Sequence, residues 1–349
     1  MRENVLDGSE PAAEPARILV LTRYDRLGAS SRVRFLQFLP ELGRLAGRRG
    51  AFQVEPFFSD DYLRDLYCGR GRRLGPVIGA YLRRLAVVAK MGSFDLIWLE
   101  KEVLPYVPAI VEQAMLPRGV PIVVDFDDAI FVQYGRHPSR LVRWALGNKI
   151  DQVCAGAHTV VAGNEFLAEH ARRAGASRVT VIPTTIDGAS YQQTARSRPR
   201  QEFHIGWIGT PVTAKYLRRF APALVRLTAE PDTYLVTIGA AGTAAPGARQ
   251  IANPWLEGEE VRMLTECDAA VAPLDDGPWE KGKCGYTIIQ CMAAGLPVVA
   301  SPVGVANSII EHGVNGFLAE NDSECEAILR KLKHDGALRQ RVGQKARQT

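Results

Sequence analysis

The stretch WEKGKCGYTIIQCMAAGLPVVASPVGV, residues 279–305, predicts a loop, a helix and a buried strand in immediate succession. The loop carries Gly282 and Gly285 beside Lys283, and an apolar helix follows it. Because the first N–H groups of a helix have no partners within the helix, they face the preceding loop and attract an anion. A glycine and a proline end the helix before VVA at 298–300, a run typical of strands buried in parallel sheets.

The composition is that of a soluble globular protein with room for two domains. The 349 residues are 46% hydrophobic and 23% charged, and no run approaches the roughly 20 apolar residues that a membrane-spanning helix needs. Residues 1–16 are polar and acidic, without the apolar core of a signal peptide. We therefore expect a disordered tail over 1–16 and a cytoplasmic protein. The six cysteines form no CxxC pair, which predicts reduced thiols and no structural zinc site.

Positive charge is concentrated in the first part of the chain. Residues 1–200 hold 28 lysines and arginines against 21 acidic residues, whereas residues 201–349 hold 15 against 17. This asymmetry favours an acidic partner, either an anionic membrane surface or a phosphate-bearing substrate. The arginines are not interleaved with aromatic residues and no nucleic-acid motif is present, so we expect no nucleic-acid partner.

Short apolar runs alternate with amphipathic stretches from Arg17 onward, which indicates βα units and parallel sheets. The polar, proline-containing segment 192–202 lacks periodicity and is predicted to be a linker. The predicted fold class is α/β, with two doubly wound, Rossmann-like domains at 17–191 and 203–349. These domains would face each other across a cleft, where ligands of such sheets bind at the carboxyl ends of the strands.

The predicted elements end before the chain does. Strands are predicted over 18–22, 52–57, 95–99, 121–125, 159–162 and 179–182, and then over 204–208, 234–239, 269–273 and 298–300. Helices are predicted over 31–45, 76–90, 106–115, 139–155, 165–174, 215–227, 258–267, 286–294, 305–311 and 323–334. The final QRVGQKARQT, 340–349, is expected to form no helix that returns to the first domain, either because such a helix is dispensable or because the chain is a truncated form, and interdomain closure would then be loose.

Four motifs resemble those of family 4 (group 1) glycosyltransferases, retaining enzymes of the GT-B fold, and they occur in that family's order. They are DRLGASSRVRFLQFLPEL at 25–42, VIPTTID at 181–187, GYTIIQCMAAGLPVVASPVGV at 285–305 and HGVNGFLAEND at 312–322. The resemblance covers nearly the whole chain. It implies transfer of a sugar from a nucleotide-sugar donor to a hydroxyl acceptor, a glycan or lipid-linked molecule, in cell-surface glycan or glycolipid synthesis. It also implies that no cofactor and no metal are needed.

The donor-binding helix departs from the family pattern. The family usually places two glutamates eight residues apart here, one near the sugar and one at the ribose hydroxyls, whereas this chain has Gly282 and Gln290. Gln290 could still accept from one hydroxyl, or it could only satisfy a nearby backbone group. The resemblance further places Cys284, Gly285 and Tyr286 in the donor site. The sugar would then be held by loop amides, by one of two lysines at 281 and 283, or by the glutamate at 280.

The leaving diphosphate needs positive charge and close backbone approach. The motif GWIGT at 206–210 ends a strand with Gly209 and Thr210, which could meet the diphosphate. Lys215 or Lys283 would neutralise it, unless both are solvated surface lysines.

The first domain supplies two further candidate groups. Gly28 precedes a helix capped by Ser30 or Ser31, and the arginines at 32 and 34 either meet an anion or are exposed. VVDFDDAIF, 123–131, places three carboxylates at a strand end, where Asp127 takes the position of a family histidine and could bind a donor hydroxyl or orient the acceptor. A metal site at these carboxylates is the alternative.

The segment GRGRRLGPVIGAYLRRLAVVAK, 69–90, combines apolar and basic residues at helical spacing. It could rest on an anionic membrane surface, which would make the protein peripheral on the inner membrane face. The alternative is a core-facing helix with a basic solvated side. Two other functions remain open for the whole chain: a GT-B relative that lost catalysis with its glutamates and serves a partner, and a sugar-nucleotide epimerase.

Overall fold

Alternating apolar strands and amphipathic helices form two parallel sheets in the computed structural model, which describes residues 15–71, 73–192, 201–240 and 245–349. We call residues 15–192 and 201–349 the first and second domain. The predicted tail lies outside the described residues up to residue 14, and the predicted linker does so over 193–200. The expected α/β class with two doubly wound domains is confirmed.

The first sheet has the strand order β2-β1-β3-β4-β5-β6, and all its pairings are parallel. Its strands are β1 (Ala16–Tyr24), β2 (Gly50–Phe58), β3 (Leu96–Glu100), β4 (Ile122–Phe126), β5 (Thr159–Ala162) and β6 (Val179–Val181). The helices of this domain are α1 (Ala29–Ser31), α2 (Leu39–Ala46), α3 (Asp60–Tyr67), α4 (Leu74–Val88), α5 (Ala109–Met115), α6 (Ile130–Gly135), α7 (Arg140–Leu146), α8 (Lys149–Gly156), α9 (Glu165–Arg173) and α10 (Gly188–Gln192). Shorter turns are a π-helix at Arg32–Leu36 and 3-10 helices at Gly47–Arg49 and Met91–Ser93.

The second sheet has the order β12-β11-β10-β7-β8-β9, again with parallel pairings. Its strands are β7 (Phe203–Ile208), β8 (Thr233–Ile238), β9 (Gln250–Asn253), β10 (Ala269–Ala272), β11 (Val298–Ala300) and β12 (Phe317–Leu318). Its helices are α11 (Ala221–Thr228), α12 (Glu260–Thr265), α13 (Pro278–Lys281), α14 (Tyr286–Ala293), α15 (Ala306–Ile309), α16 (Asp322–His334) and α17 (Gly336–Gln348), with a 3-10 helix at Ala214–Arg219.

Apolar side chains on both faces of each sheet form the cores. β7 and β10 are buried along their whole length, as expected for central strands covered by helices on both faces. The first domain has one apolar core, and the half-buried Cys284 of the second domain packs against it. The two domains are therefore in direct contact. None of the helices in the four described ranges is long and apolar enough to cross a membrane.

Three predicted helices are broken. The helix predicted over 31–45 consists of α1, a π-turn and α2, and the one predicted over 215–227 is a 3-10 helix followed by α11. Pro40 and Pro222 lie in the first turns of α2 and α11, where a missing N–H costs nothing, so each proline starts a helix instead of lying inside one. The helix predicted over 139–155 is interrupted between α7 and α8 at Gly147 and Asn148, both poor helix formers.

The C-terminal segment forms a helix, contrary to our expectation. α17 buries Leu338, Val342 and Ala346 and packs on α14. The Arg347 guanidinium donates to the Tyr191 carbonyl oxygen at 2.8 Å, which joins the end of the chain to the end of the first domain. The amphipathic spacing over 336–348 is the signal for this helix, and it was given too little weight.

Candidate functional site

The segment that follows β10 crosses to the first domain, and we call residues 278–285 the cleft loop. It contains the short helix α13, which ends at Lys281, and leads into α14. On the other side of the cleft, the strands β3 and β4 end beside each other, with Glu100 paired to Asp125. Charged residues follow both strands, so the carboxyl ends of the first sheet face the cleft loop.

Gly282 packs directly on the first domain. A Cβ atom at this position would lie 2.6 Å from the Ala129 Cβ and 2.7 Å from the Ala129 nitrogen. No real Cβ atom tolerates such distances from backbone, so the closed arrangement of the domains requires glycine at 282. A carboxylate side chain at 282 therefore does not fit between these domains.

Gly285 begins α14 in a left-handed conformation, with φ +71°. The cap residue is glycine and no side chain caps the helix, so the first N–H groups of α14 are left for another partner. A Cβ at 285 would approach Val305 and Ile309 to 2.9 Å, which adds a steric requirement for glycine. An uncapped helix start of this kind suits a phosphate.

Lys283 lies on the cleft loop and reaches the first domain. Its ammonium is 3.4 Å from the Asp128 carboxylate and 5.8 Å from the centre of the Trp279 ring. The next residue, Cys284, donates its thiol to the Asp127 carbonyl oxygen at 3.2 Å, and burial raises the pKa of that thiol. In this turn Lys283 therefore brings a positive charge to the cleft, whereas Cys284 packs against the first domain.

Lys101 is the cation of the first domain in this site, and our reading of the sequence missed it. Its ammonium lies 2.8 Å from Asp127, 3.4 Å from Asp128 and 3.8 Å from Glu100. The residue is only 7% exposed and has φ +65°, a conformation that non-glycine residues rarely adopt. Strained backbone of this kind is concentrated at functional sites.

The carboxylates around Lys101 respond to it in different ways. Burial pushes the pKa of Asp127 upward, but the Lys101 charge and hydrogen bonds from Lys101 and Ser30 outweigh burial and hold that pKa below its usual value. Burial dominates at Glu100 and raises its pKa. Asp127 is therefore an anion held between a buried lysine and the cleft loop.

Gln290 lies on α14 and is 2% exposed, and its amide nitrogen has no hydrogen-bond partner. Tyr191 from the end of the first domain lies within hydrogen-bond reach of the Gln290 side chain. Tyr286, one turn earlier on α14, lies close enough to Arg32 for that guanidinium to oppose the burial that raises the Tyr286 pKa, and the guanidinium also stacks over Trp255 at 4.4 Å. Residues of both domains thus surround the polar face of α14.

Gly209, Thr210 and Lys215 follow β7. A Cβ at Gly209 would lie 2.6 Å from the Trp207 ring, and the Gly209 carbonyl oxygen lies against Gly239, so two glycines let the ends of β7 and β8 approach closely. Thr210 is engaged with Thr213 through its backbone N–H and its hydroxyl. Lys215 is exposed, with its ammonium over the Tyr216 ring, so the structure brings Lys283 and not Lys215 into contact with Asp128.

Two expectations for the first domain are corrected. The helix that follows Gly28 is capped by Gly28 itself and not by Ser30 or Ser31, and no side chain caps it. Gly28 is required by packing, because a Cβ there would lie 2.3 Å from the Tyr24 Cβ. Ser31 instead donates to Glu100 at 2.6 Å.

The two arginines that follow are buried, contrary to the alternative of exposed side chains. Arg34 makes a bidentate pair with Asp125, at 2.8 and 3.1 Å, and donates to the Ile182 carbonyl oxygen. Burial raises the pKa of Asp125 to about 7 in spite of this partner. Arg34 and Asp125 therefore hold β4 to the segment after β6.

Glu280 is held by a tyrosine of the 3-10 helix at Ala214–Arg219. It accepts a hydrogen bond from the Tyr216 hydroxyl at 2.6 Å, and burial followed by this bond raises the Tyr216 pKa. Within the described ranges, no group of three or more His, Cys, Asp or Glu side chains could hold a metal ion.

Comparison with known proteins shows which proteins the chain resembles. Residues 202–334 match the family model described as Glycosyl transferases group 1. N-acetyl-alpha-D-glucosaminyl L-malate synthase of Bacillus anthracis is 21% identical over 287 residues, which are 77% of this chain and 73% of that protein.

Solved structures resemble the chain over nearly its full length. Anabaena HepE in complex with UDP and glucose aligns with a TM-score of 0.68 at 19% identity, covering 95% of this chain and 94% of its own. WaaG, a glycosyltransferase involved in lipopolysaccharide biosynthesis, aligns with a TM-score of 0.67 at 14% identity, covering 95% and 94%. The GT-B fold and the resemblance to group 1 glycosyltransferases are confirmed, and together they support a nucleotide-sugar glycosyltransferase.

Proposed function

Starting from a confirmed resemblance to group 1 glycosyltransferases of the GT-B fold, we propose that this protein is a retaining transferase that moves a sugar from a nucleotide sugar to a hydroxyl acceptor. One observation carries the proposal. The uncapped start of α14 and Lys283 stand on one side of the cleft, and the Asp127–Lys101 pair stands on the other, with Lys283 and Asp128 only 3.4 Å apart. Groups that can donate hydrogen bonds to a phosphate thus lie opposite carboxylates that can accept hydrogen bonds from sugar hydroxyls.

The residues present divide the work by charge. The α14 N–H groups and Lys283 would stabilise the negative charge that develops on the leaving diphosphate. Asp127, kept anionic by Lys101, would accept a hydrogen bond from a donor or acceptor hydroxyl and fix its direction. The acceptor hydroxyl would attack the anomeric carbon on the face from which the diphosphate departs and pass its proton to a diphosphate oxygen. The chain then needs no side chain as nucleophile, and the transferred sugar keeps its configuration.

The donor base and the acceptor are proposed from relatives. HepE structures contain UDP and UDP-glucose, so we propose a UDP-sugar donor. WaaG acts in lipopolysaccharide biosynthesis, which supports a role in cell-surface glycan or glycolipid synthesis. We further propose that the transfer needs no metal or other cofactor and that the protein works in the cytoplasm.

A peripheral membrane contact is proposed through α4. Leu74, Ile78 and Leu82 recur every four residues and are 77%, 57% and 63% exposed, which makes one apolar stripe on the helix. Arg73 and Arg83 beside them are exposed as well. The rest of the predicted basic set differs: Arg84 is buried and donates to two backbone carbonyls, and residue 72 lies outside the described residues.

The membrane contact is tested with vesicles. The full chain should sediment with anionic but not neutral liposomes at low salt. Leu82→Asp should abolish this binding, and Leu45→Asp, at a residue 67% exposed on α2, is the matched control that should not. Equal binding to both lipids, or none, contradicts the proposal.

The enzymatic proposal is tested in two steps. A thermal-shift screen over UDP-, GDP-, ADP- and TDP-sugars identifies the donor, because a ligand that binds only the folded state raises the melting temperature. Release of nucleoside diphosphate that requires a hydroxyl acceptor then establishes transfer, NMR of the new linkage reads its configuration, and an unchanged rate in EDTA supports metal independence. No shift with any donor would favour a non-catalytic binding protein. Conversion of the nucleotide sugar without nucleotide release would indicate an epimerase.

A further inference from the structure

One side chain of the first domain holds the cleft loop of the second. Asn164 follows β5, and its amide nitrogen lies 3.4, 3.0 and 3.2 Å from the carbonyl oxygens of Lys281, Gly282 and Lys283. These are the carbonyls at the end of α13, which have no partners within that helix. Asn164 is 5% exposed. A residue more than a hundred positions away in sequence thus caps the C-terminal end of α13.

The orientation of the Asn164 amide is fixed by its own helix. Its oxygen accepts from the Leu167 N–H at 2.9 Å as the N-cap of α9. Because the oxygen is used in this way, the nitrogen must face the cleft loop. The Asn164 side chain therefore caps one helix in each domain.

The two domains are in close contact around Asn164. A Cβ at Gly163 would lie 2.3 Å from the Cys284 sulfur, just as a Cβ at Gly282 would collide with Ala129. A glycine in each domain, Gly163 and Gly282, thus allows the cleft loop to pack directly against the first domain. The contact between the domains thus combines close packing with hydrogen bonds, and residues 163–164 and 282–284 make both.

We propose that Asn164 is a positioning residue of the donor site, an interdomain latch that fixes the cleft loop in the closed arrangement of the domains. Since Lys283 and the start of α14 lie on or beside this loop, the site for the donor phosphates is complete only when the latch is formed. Donor binding and domain closure are then one coupled event. The inference rests on the donor site proposed above, but the latch itself exists without any donor.

Two substitutions separate the latch from the helix cap. Asn164→Asp keeps an N-cap acceptor of the same shape but turns an oxygen toward three carbonyl oxygens. Asn164→Ser keeps a hydroxyl that can cap α9 but removes the amide nitrogen that donates hydrogen bonds to the cleft loop. Asn321 caps α16 by accepting from the Glu324 N–H at 2.9 Å and is exposed on the second domain, so Asn321→Ser is the matched control.

The first measurement uses the full chain without ligand. Small-angle X-ray scattering should show a larger radius of gyration for Asn164→Asp than for the wild type and Asn321→Ser, and amide exchange at 281–285 should become faster. Gly163→Ala should open the cleft in the same way, and adding Cys284→Ala should close it again, because the sulfur it meets is gone. Scattering and exchange unchanged in Asn164→Asp, or in Gly163→Ala, would overturn the latch.

The second measurement uses UDP as the probe. We expect the dissociation constant of Asn164→Ser for UDP to rise roughly tenfold, a usual size for coupling between sites, while its melting temperature stays within about 2 °C of Asn321→Ser. A fall in melting temperature with unchanged UDP affinity would show a merely structural role and overturn the proposal. If the variants open the cleft but no nucleotide binds the wild type, the latch stands and the proposed donor site fails.

Discussion

Replacing Lys101 by methionine tests whether this buried ammonium holds the acidic side of the cleft together. Lys101→Met keeps the length and apolar stem of the side chain but removes an ammonium that lies within 4 Å of Glu100, Asp127 and Asp128. Methionine also keeps the backbone strain, because any residue with a Cβ is disfavoured at φ +65°. The variant therefore isolates the charge.

The expected loss follows from burial. Breaking a buried ion pair by removing one partner costs about 3–5 kcal/mol, because the remaining charge is left without compensation. The Asp127 and Asp128 side chains retain 12% and 21% exposure, so we take the lower end, about 3 kcal/mol. For a domain of this size that corresponds to a fall in melting temperature of roughly 6–12 °C.

The pH dependence gives the sharper test. In the wild type the pKa of Asp127 is depressed, so its contribution to stability is present above the ordinary carboxyl pKa and is lost only as pH falls through the depressed value. Without Lys101, burial dominates and raises that pKa, so the variant loses stability as pH rises through the raised value. The difference in melting temperature between wild type and Lys101→Met should therefore be larger at pH 7.5 than at pH 5.

Thermal unfolding at the two pH values checks this reasoning. Lys90→Met, at an exposed lysine of the same domain, is the control and should melt like the wild type. A Lys101→Met variant that melts within 2 °C of the wild type at pH 7.5, or whose loss is the same at pH 5, would refute the assignment of Lys101 as the cation that keeps Asp127 charged.

Three further predictions concern the second domain. Gly282→Glu restores the family's residue but collides with Ala129, so we expect at least a tenfold loss of acceptor-dependent nucleotide release, with partial recovery when Ala129→Gly is added. Gln290→Glu places a carboxylate at a site 2% exposed, and its ligand-free melting temperature should fall more at pH 7.5 than at pH 5; an equal fall would contradict it. Lys283→Met should lower kcat about 10- to 100-fold, whereas Lys215→Met should change kcat less than threefold; the reverse order would reassign the phosphate cation.

The architecture was predictable because it follows from local patterns. Apolar runs between amphipathic stretches specified all six strands of the first sheet and the four inner strands of the second, but not its short edge strands β9 and β12. The glycines around 282–295 specified the turn, helix and strand of the second domain. The helix breaks at Pro40 and Pro222 were also visible in the sequence, since proline belongs in the first turn of a helix. They were missed because the apolar periodicity on both sides of each proline suggested one continuous helix.

The site was predictable only where it lies on one segment of chain. Lys101 and Asp127 are neighbours because β3 and β4 pair in the sheet, and Asn164 meets Gly282 because two domains close. No periodicity encodes either contact. A partial signal exists for the first: three charged residues, 100–102, directly follow the apolar strand LIWL, and Asp127 follows the next strand. Carboxyl ends of adjacent parallel strands meet, so these charges had to be close.

Each domain places at the cleft side chains whose charge is opposite to the net charge of that part of the chain. The first 200 residues are net basic, yet the first domain places Asp127 and Asp128 beside the cleft loop, and the net acidic second domain places Lys283 there. A phosphate bound beside Lys283 would therefore lie close to carboxylates of the first domain. We propose that such a phosphate would compete with Asp128 for the Lys283 ammonium, so that donor binding would free the Asp128 carboxylate.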